Sequence, residues 1–247
     1  MTRFDGKVAV VTGAAGDIGS RLCRALAAEN AEVIGADVDE AAGARLTAEM
    51  HAAGTSFTFR HLDVADPRSV AAFARTVGRV DVLVNAAGVL SYAPLSETAV
   101  EEWDRVLDIN VRGAFLVTKE LTSALADGAT VVNLSSSAAV RAGAGWSAYS
   151  ASKAALVALT KVTAAELAPR CRVNAVCPGA LDTRMPHRLL DGHPAKETIL
   201  HGMAEASMLK RLGEADEVVP ICLFLASEEA GLITGASIIA DGGTTAW

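Results

Sequence analysis

The sequence predicts an α/β fold, a doubly wound parallel sheet of about seven strands flanked by helices in three layers. Three observations predict it. Short apolar runs rich in Val and Ile recur along the chain. Longer Ala/Leu/charged stretches separate them, and a glycine-rich turn joins the first run to the first such stretch.

Taken in order, the runs are Lys7–Val11 (KVAVV), Glu32–Ala36 (EVIGA), Ser56–Arg60 (SFTFR), Val82–Asn85 (VLVN), Thr130–Leu134 (TVVNL), Arg172–Val176 (RVNAV) and Ser237–Ala240 (SIIA). Near-continuous apolarity, as opposed to alternation, marks strands buried on both faces of a parallel sheet. The stretches between them read as helices over Ile18–Ala28, Glu40–Ala52, Pro67–Val77, Glu101–Ala124, Ser147–Ala168 and Glu214–Ala226. Strand and helix alternate as a parallel sheet with crossover helices requires. No linker-like shift of composition, internal repeat or low-complexity tract interrupts the pattern, so residues 1–247 form one domain.

Composition narrows the function. Hydrophobic residues make up 51% of the chain and charged residues 21%, enough for a sizeable core. Lys+Arg 22 against Asp+Glu 29 gives a net charge of −7 with no basic run, so no nucleic acid or anionic membrane partner is expected. The N-terminal MTRFDGKVAVVTG lacks the apolar core of a signal peptide, and no apolar stretch reaches the ~18 residues of a membrane span. Cys23, Cys171, Cys177 and Cys222 are scattered and read as free thiols. The expected location is the cytoplasm.

The first strand runs into Thr12-Gly13-Ala14-Ala15-Gly16-Asp17-Ile18-Gly19 and then a helix. Glycines here allow a tight turn and let main-chain N–H groups approach a pyrophosphate at the helix N-terminus. The second strand ends at Asp37, eighteen residues after Gly19. A carboxylate there accepts both ribose hydroxyls of NAD and repels the 2′-phosphate of NADP. No Lys or Arg lies in the glycine loop, and Val38 follows Asp37, so the expected cofactor is NAD. The alternative role for Asp37 is a cap on the turn into the next helix.

Tyr149 and Lys153 stand at i and i+4, on one face of a helix. A phenol with its ordinary pKa of ~10 is a poor base at neutral pH, and a nearby ammonium favours the phenolate. The five histidines show no metal-ligand spacing, so no metal site is expected. A Tyr-x-x-x-Lys spacing occurs often by chance, and its alternative is an exposed pair on a helix.

With these motifs in hand, the chain resembles a short-chain dehydrogenase/reductase of the ~250-residue kind, built on a Rossmann fold. The glycine turn, Asp63 in Leu62-Asp63-Val64, Asn85-Ala86-Ala87-Gly88, Asn110, Ser136 thirteen residues before Tyr149, Pro178-Gly179 with Thr183, and Asp241-Gly242-Gly243 stand in the family's order. The resemblance implies that Tyr149 is the general acid/base and that Lys153 lowers its pKa while binding the nicotinamide ribose. It implies that Ser136 hydrogen-bonds the reacting oxygen and Asn110 holds a water of the proton relay. It places the cofactor on Gly13, Gly16, Asp17, Ile18, Gly19, Asp37, Asp63, Val64, Asn85, Ala86, Gly88, Pro178, Gly179, Leu181 and Thr183, besides Tyr149 and Lys153. For Asp63 the alternative is a turn residue, for Asn85–Gly88 a strand-ending turn, and for Thr183 a helix N-cap.

The resemblance has departures. The family's pattern puts glycine at position 17, where this chain has Asp17. A carboxylate there is unhelpful beside a pyrophosphate unless it turns away to cap the helix. Asn85-Ala86 has alanine where a second asparagine is common.

Substrate contacts are expected from Ser136, Ser137, Trp146, Tyr149, Met185 and His187, with His193 a further candidate. They lie in Val89–Pro94, in Ser137–Trp146 and in a mobile lid spanning about residues 184–213. For Trp146 the alternative is core packing, and for the histidines a surface position. The expected reaction is NAD-dependent interconversion of a small or medium secondary alcohol (a polyol or cyclic alcohol included) and its ketone. A 3-oxoacyl-(acyl-carrier-protein) reductase using NADPH shares every catalytic residue and is the alternative. A nucleotide-binding regulator that lost turnover is the third reading, disfavoured because all four catalytic residues are kept. Family resemblance implies a homotetramer or homodimer, with the apolar C-terminal residues 238–247 at an interface.

Overall fold

The computed structural model describes residues 2–192 and 194–246 and shows seven parallel strands in the order β3-β2-β1-β4-β5-β6-β7. The strands are β1 (Val8–Thr12), β2 (Glu32–Asp37), β3 (Phe57–His61), β4 (Val80–Asn85), β5 (Leu125–Leu134), β6 (Arg172–Pro178) and β7 (Ser237–Ala240). Nine α-helices connect them among the described residues: α1 (Asp17–Ala28), α2 (Glu40–Ala52), α3 (Pro67–Ala74), α4 (Val100–Leu107), α5 (Ala114–Leu121), α6 (Ser147–Leu167), α7 (Arg184–Leu189), α8 (Lys196–Ala206) and α9 (Ala215–Ala226). The fold is the expected doubly wound, three-layer one.

The apolar runs are buried on both faces, as their composition requires. In β1, Ala9 and Val11 pack with α1 and α9 residues such as Leu22, Leu26 and Leu223. Val10 faces the other way, among Val70, Phe73, Val117 and Leu121 of α3 and α5. Alternate residues of one strand therefore feed two separate cores, which is the three-layer architecture seen from a single strand. Strand order reverses between β1 and β4, and this switch point opens a crevice beyond the carboxyl ends of the strands, where ligands of open α/β sheets bind.

Several boundaries differ from the sequence reading. β5 begins at Leu125 instead of Thr130, because Leu125 pairs with Val80 before a register shift at an exposed Asp127-Gly128 bulge. The helix expected over 101–124 is interrupted by a π-helical turn at Asp108–Gly113. Such wide turns concentrate at functional sites, and this one carries Asn110. The stretch expected to be a lid contains two helices, α7 and α8, and Leu181 pairs with Gly213 across its ends. Among the described residues, no helix is long and apolar enough to cross a membrane.

Candidate active site

The crevice collects the sequence motifs. At the end of β1, Gly13 adopts φ +66°, and a Cβ on it would lie 2.7 Å from the Ala87 nitrogen. A Cβ on Gly19 would lie 2.1 Å from the Gly13 carbonyl oxygen. The turn is therefore tight because α1 runs straight into it. Gly16 occupies the N-cap position of α1 and no side chain caps the helix, so its first-turn N–H groups lack a side-chain acceptor. An uncapped helix of 12 residues behind a glycine turn is the cradle a pyrophosphate fits.

Asp37 closes one end of this cradle. Its Oδ2 accepts from the Ala15 N–H at 2.9 Å and its Oδ1 from the Asp39 N–H at 3.0 Å. The bond to the Asp39 N–H caps the turn into α2, and the helix itself is capped by Asp39, which accepts from the Ala42 N–H. Asp37 is thus fixed at the mouth of the glycine turn, and Val38 beside it is exposed. Asp63 accepts from the Ala65 N–H at 2.9 Å in a local turn, and its own N–H donates to Ser69 Oγ. Val64 is buried against Gly113, where a Cβ would meet the valine at under 3 Å.

Asn85 serves the scaffold. Its Nδ2 donates to Thr118 Oγ1 at 3.0 Å and to Asn133 Oδ1 at 2.8 Å, and Asn133 donates onward to Thr160. This buried polar ladder ties β4 and β5 to α5 and α6. The following main chain is held by Thr12, whose Oγ1 accepts from the N–H groups of Ala86 and Ala87. Gly88 then passes so close to the centre that a Cβ would lie 3.3 Å from Asn110 Oδ1 and 3.4 Å from Lys153 Nζ.

The four candidate catalytic residues come together here. Asn110 Oδ1 accepts from the Val89 N–H at 2.8 Å, and its Nδ2 donates to the Val89 carbonyl and to Ser152 Oγ. Ser152 Oγ donates to the Tyr149 carbonyl at 2.7 Å, so one asparagine clamps the β4 loop to α6. Lys153 Nζ donates to the Leu134 carbonyl at 2.8 Å and lies 5.7 Å from the centre of the Tyr149 ring. Ser135 Oγ donates to the Lys153 carbonyl. Ser136 is buried, hydrogen-bonds the Tyr149 side chain, and accepts from the Ala138 N–H.

Electrostatics differ from the simple expectation that Lys153 lowers the Tyr149 pKa. Burial pushes the Tyr149 phenol above its ordinary value, partly offset by its bond to Ser136. Burial also brings the Lys153 ammonium down to about 8. Both charged forms lose hydration on burial, and the ammonium is directed at the Leu134 carbonyl. Lys153 is consequently brought closer to exchanging protons near neutrality, and Tyr149 is moved further from it.

Trp146 lies next to this centre, its ring 6.3 Å from that of Tyr149 and 4.8 Å from that of Tyr92. Gly145, at φ +85°, lets the Tyr92 ring approach, since a Cβ would meet it at 2.3 Å. Sequence reading pointed to the segment around Tyr92 without singling it out, and the only local signal was a lone aromatic in a loop. Ser152 was missed too, although it sits three residues after Tyr149 on the same helix. Cys177 was passed over as a plain thiol; it is buried on β6 and hydrogen-bonds Ser135, beside Lys153.

On the lid side, Gly179 packs against Asp241, where a Cβ would lie 2.7 Å from its Cα. Asp241 accepts from the Gly243 and Thr245 N–H groups in a structural turn. Thr183 is the N-cap residue of α7 but makes no side-chain cap, and Met185 is exposed. His187 Nε2 meets Asp182 at 2.7 Å, in a cleft shared with Asp17, Arg21, Thr183 and Arg184. His187 thus lies on the glycine-loop side of the lid, while Trp146 and Tyr92 form the wall beside Tyr149; Ser137 opens the short turn after Ser136. His193 falls outside the described residues. Asp17 does not cap α1; its carboxylate takes Arg184 instead, with Nε at 2.7 Å. Among the described residues no cluster of ligand-type side chains could hold a metal ion.

A family model described as enoyl-(acyl carrier protein) reductase matches residues 13–245. The chain is 37% identical over 253 residues to a cyclopentanol dehydrogenase from Comamonas sp., covering 100% of both chains. It is 36% identical to a 3-oxoacyl-[acyl-carrier-protein] reductase from Thermotoga maritima, covering 98% of each. Among solved structures, a short-chain dehydrogenase/reductase (glucose/ribitol dehydrogenase) from Brucella melitensis superposes with TM-score 0.90 at 30% identity, covering 98% of each chain.

Proposed function

Because this chain belongs to the short-chain dehydrogenase/reductase family, we propose that it is an NAD-dependent dehydrogenase of small or medium secondary alcohols, with cyclic alcohols favoured. The observation that carries the reading is the meeting of Tyr149, Lys153, Ser136 and Asn110 in one buried centre beside the glycine turn. A nicotinamide supplies hydride acceptance or donation when bound. The chain's own residues do the rest. Ser136 Oγ donates to the oxygen of the substrate, and Tyr149 accepts the proton of that oxygen as phenolate in oxidation and returns it as phenol in reduction. Lys153 stabilises the phenolate and holds the nicotinamide ribose. Asn110 and Ser152 fix the Tyr149 turn of α6 and, with an ordered water, connect the site to solvent.

NAD over NADP is supported by the Asp37 carboxylate, fixed by the Ala15 N–H where the adenosine ribose would lie, with no basic residue in the glycine turn. The aromatic wall of Tyr92 and Trp146 supports an apolar, ring-sized substrate, in keeping with the similarity to the Comamonas cyclopentanol dehydrogenase. An assembly of two or four subunits in the cytoplasm completes the reading, supported by four buried free thiols and by exposed Val100, Trp103 and Phe115 along α4–α5.

The test is turnover followed at the reduced-nicotinamide band, with cyclic, acyclic and polyol alcohols and with NAD and NADP. Oxidation of a secondary alcohol with NAD, and a shift toward NADP in Asp37→Ala, is the expected result. The similarity to the Thermotoga reductase carries a second reading, reduction of 3-oxoacyl thioesters with NADPH. Preference for NADPH and for acetoacetyl thioesters would select it.

A further inference from the structure

Asp17 is left without a task by the chemistry above. It opens α1, where a pyrophosphate is held in the proposed enzyme, and a bare carboxylate there repels that group. Its charge is already occupied. Asp17 Oδ1 accepts from Arg184 Nε at 2.7 Å, and Asp17 Oδ2 accepts from the Arg184 main-chain N–H at 2.7 Å. The far end of the same guanidinium donates to the Ala15 carbonyl at 3.0 Å. Arg21 holds the Asp17 carbonyl from behind at 3.0 Å and pairs with Asp216 of α9, so the anchor is braced. Three contacts thus fasten the first residue of the lid to the glycine turn, 167 positions earlier in the chain.

These contacts cross the cleft between α1 and α7, with Thr183 adjacent to the clamp. We propose that the Asp17–Arg184 pair is a latch that clamps the lid onto the glycine turn and sets the rate at which the dinucleotide leaves. This rests on the dinucleotide reading of the site given above. The pair is built to open: the side chains of Asp17 and Arg184 are 20% and 49% exposed, so water and salt compete for it. Bidentate engagement of one carboxylate makes it stronger than a loose surface pair. Asp17 and Arg184 act through the lid and are positioning residues, with no place in the proton transfer.

The test uses the intact protein and the variants Asp17→Ala, Arg184→Gln and their double. Hydrogen exchange of residues 184–206, measured without added dinucleotide, reads the clamp itself. Exchange is expected to speed up in Asp17→Ala and Arg184→Gln, with the thermal transition of the whole protein little changed. Release of NADH, followed by displacement with excess NAD, is expected to quicken by about three- to tenfold in each single variant. The double variant is expected to exceed either single variant by less than the sum of their effects, because the Arg184 Nε–Asp17 bond they share can be lost only once. Release from the unmodified protein should also quicken with salt, and release from the variants should not.

Unchanged lid exchange alongside normal NADH binding would overturn the latch. So would opposite effects on NADH, tighter in Asp17→Ala and weaker in Arg184→Gln, since that pattern makes Arg184 a phosphate ligand restrained by Asp17. Faster lid exchange in a protein that binds neither NADH nor NADPH would leave the clamp standing and overturn the dinucleotide reading instead.

Discussion

Replacing Lys153 with methionine should raise stability at neutral pH, and the advantage should fade as pH rises. The Lys153 side chain is buried, with one hydrogen bond to the Leu134 carbonyl, and its pKa is brought from 10.5 down to about 8. Below about pH 8 the ammonium is charged in both folded and unfolded chains, and the folded chain carries the full desolvation penalty. Between about 8 and 10.5 the unfolded chain holds a proton that the folded one has lost, so stability climbs with pH; above 10.5 the group contributes nothing. The 2.5-unit difference (10.5 − 8) at ~1.36 kcal/mol per unit is a penalty of about 3 kcal/mol at pH 6.5. At pH 9.5 the same two values leave about 1.4 kcal/mol. Methionine removes the penalty and keeps the apolar volume, but strands the Leu134 carbonyl at a cost of about 1–3 kcal/mol. The variant should therefore equal or exceed the natural protein by up to about 2 kcal/mol at pH 6.5. The natural protein should regain about 2 kcal/mol on it by pH 9.5. Urea unfolding of both proteins at matched concentrations and several pH values measures this. A stability difference independent of pH, or one that moves the other way, would refute the reasoning.

Three further outcomes follow from the same geometry. Burial holds the Tyr149 phenol above its ordinary value, so alcohol oxidation, which needs the phenolate, should accelerate from pH 7 to 9.5 while ketone reduction stays level; an oxidation optimum at pH 7 in initial-rate profiles would contradict this. Gly19→Ala places a Cβ 2.1 Å from the Gly13 carbonyl, so NADH affinity in a fluorescence titration should collapse, and unchanged affinity would mean the turn is not the cradle. Asn85→Ala removes two bonds of the buried ladder and should cost about 1–3 kcal/mol in urea unfolding with the m-value preserved, whereas a neutral substitution would show the ladder to be dispensable.

The fold was largely legible in the sequence because its strands are buried on both sides: runs such as Lys7–Val11 have little freedom to be anything else. Helix and strand ends were read less well where tertiary pairing decides them. Leu125 is a strand residue because Val80 lies beside it, which no local pattern records. The π-helical turn at Asp108–Gly113 was likewise invisible, since its cause is three-dimensional: Val64 packs onto Gly113 and Asn110 reaches Val89. At the site, residues that act through spacing along one helix, Tyr149 and Lys153, could be found by counting. Partners that meet only in space could not. Asp17 was singled out as a departure, but its partner Arg184 lies in the lid, and nothing local to either residue announces the pair. Tyr92 and Trp146 are joined in the same way, through a contact that depends on Gly145. The sign of the Tyr149 shift also required the structure, because only the folded chain reveals that the phenol is buried and desolvated.

The most direct test of the account is Tyr149→Phe, with turnover and NADH binding measured on the same preparation using the best secondary alcohol of the substrate screen. The variant should lose about 10²–10⁴-fold in kcat, the scale of positioned acid/base catalysis, while NADH binds within a few-fold of the natural protein. Turnover close to that of the natural protein would contradict the assignment of Tyr149 as the group that moves the proton.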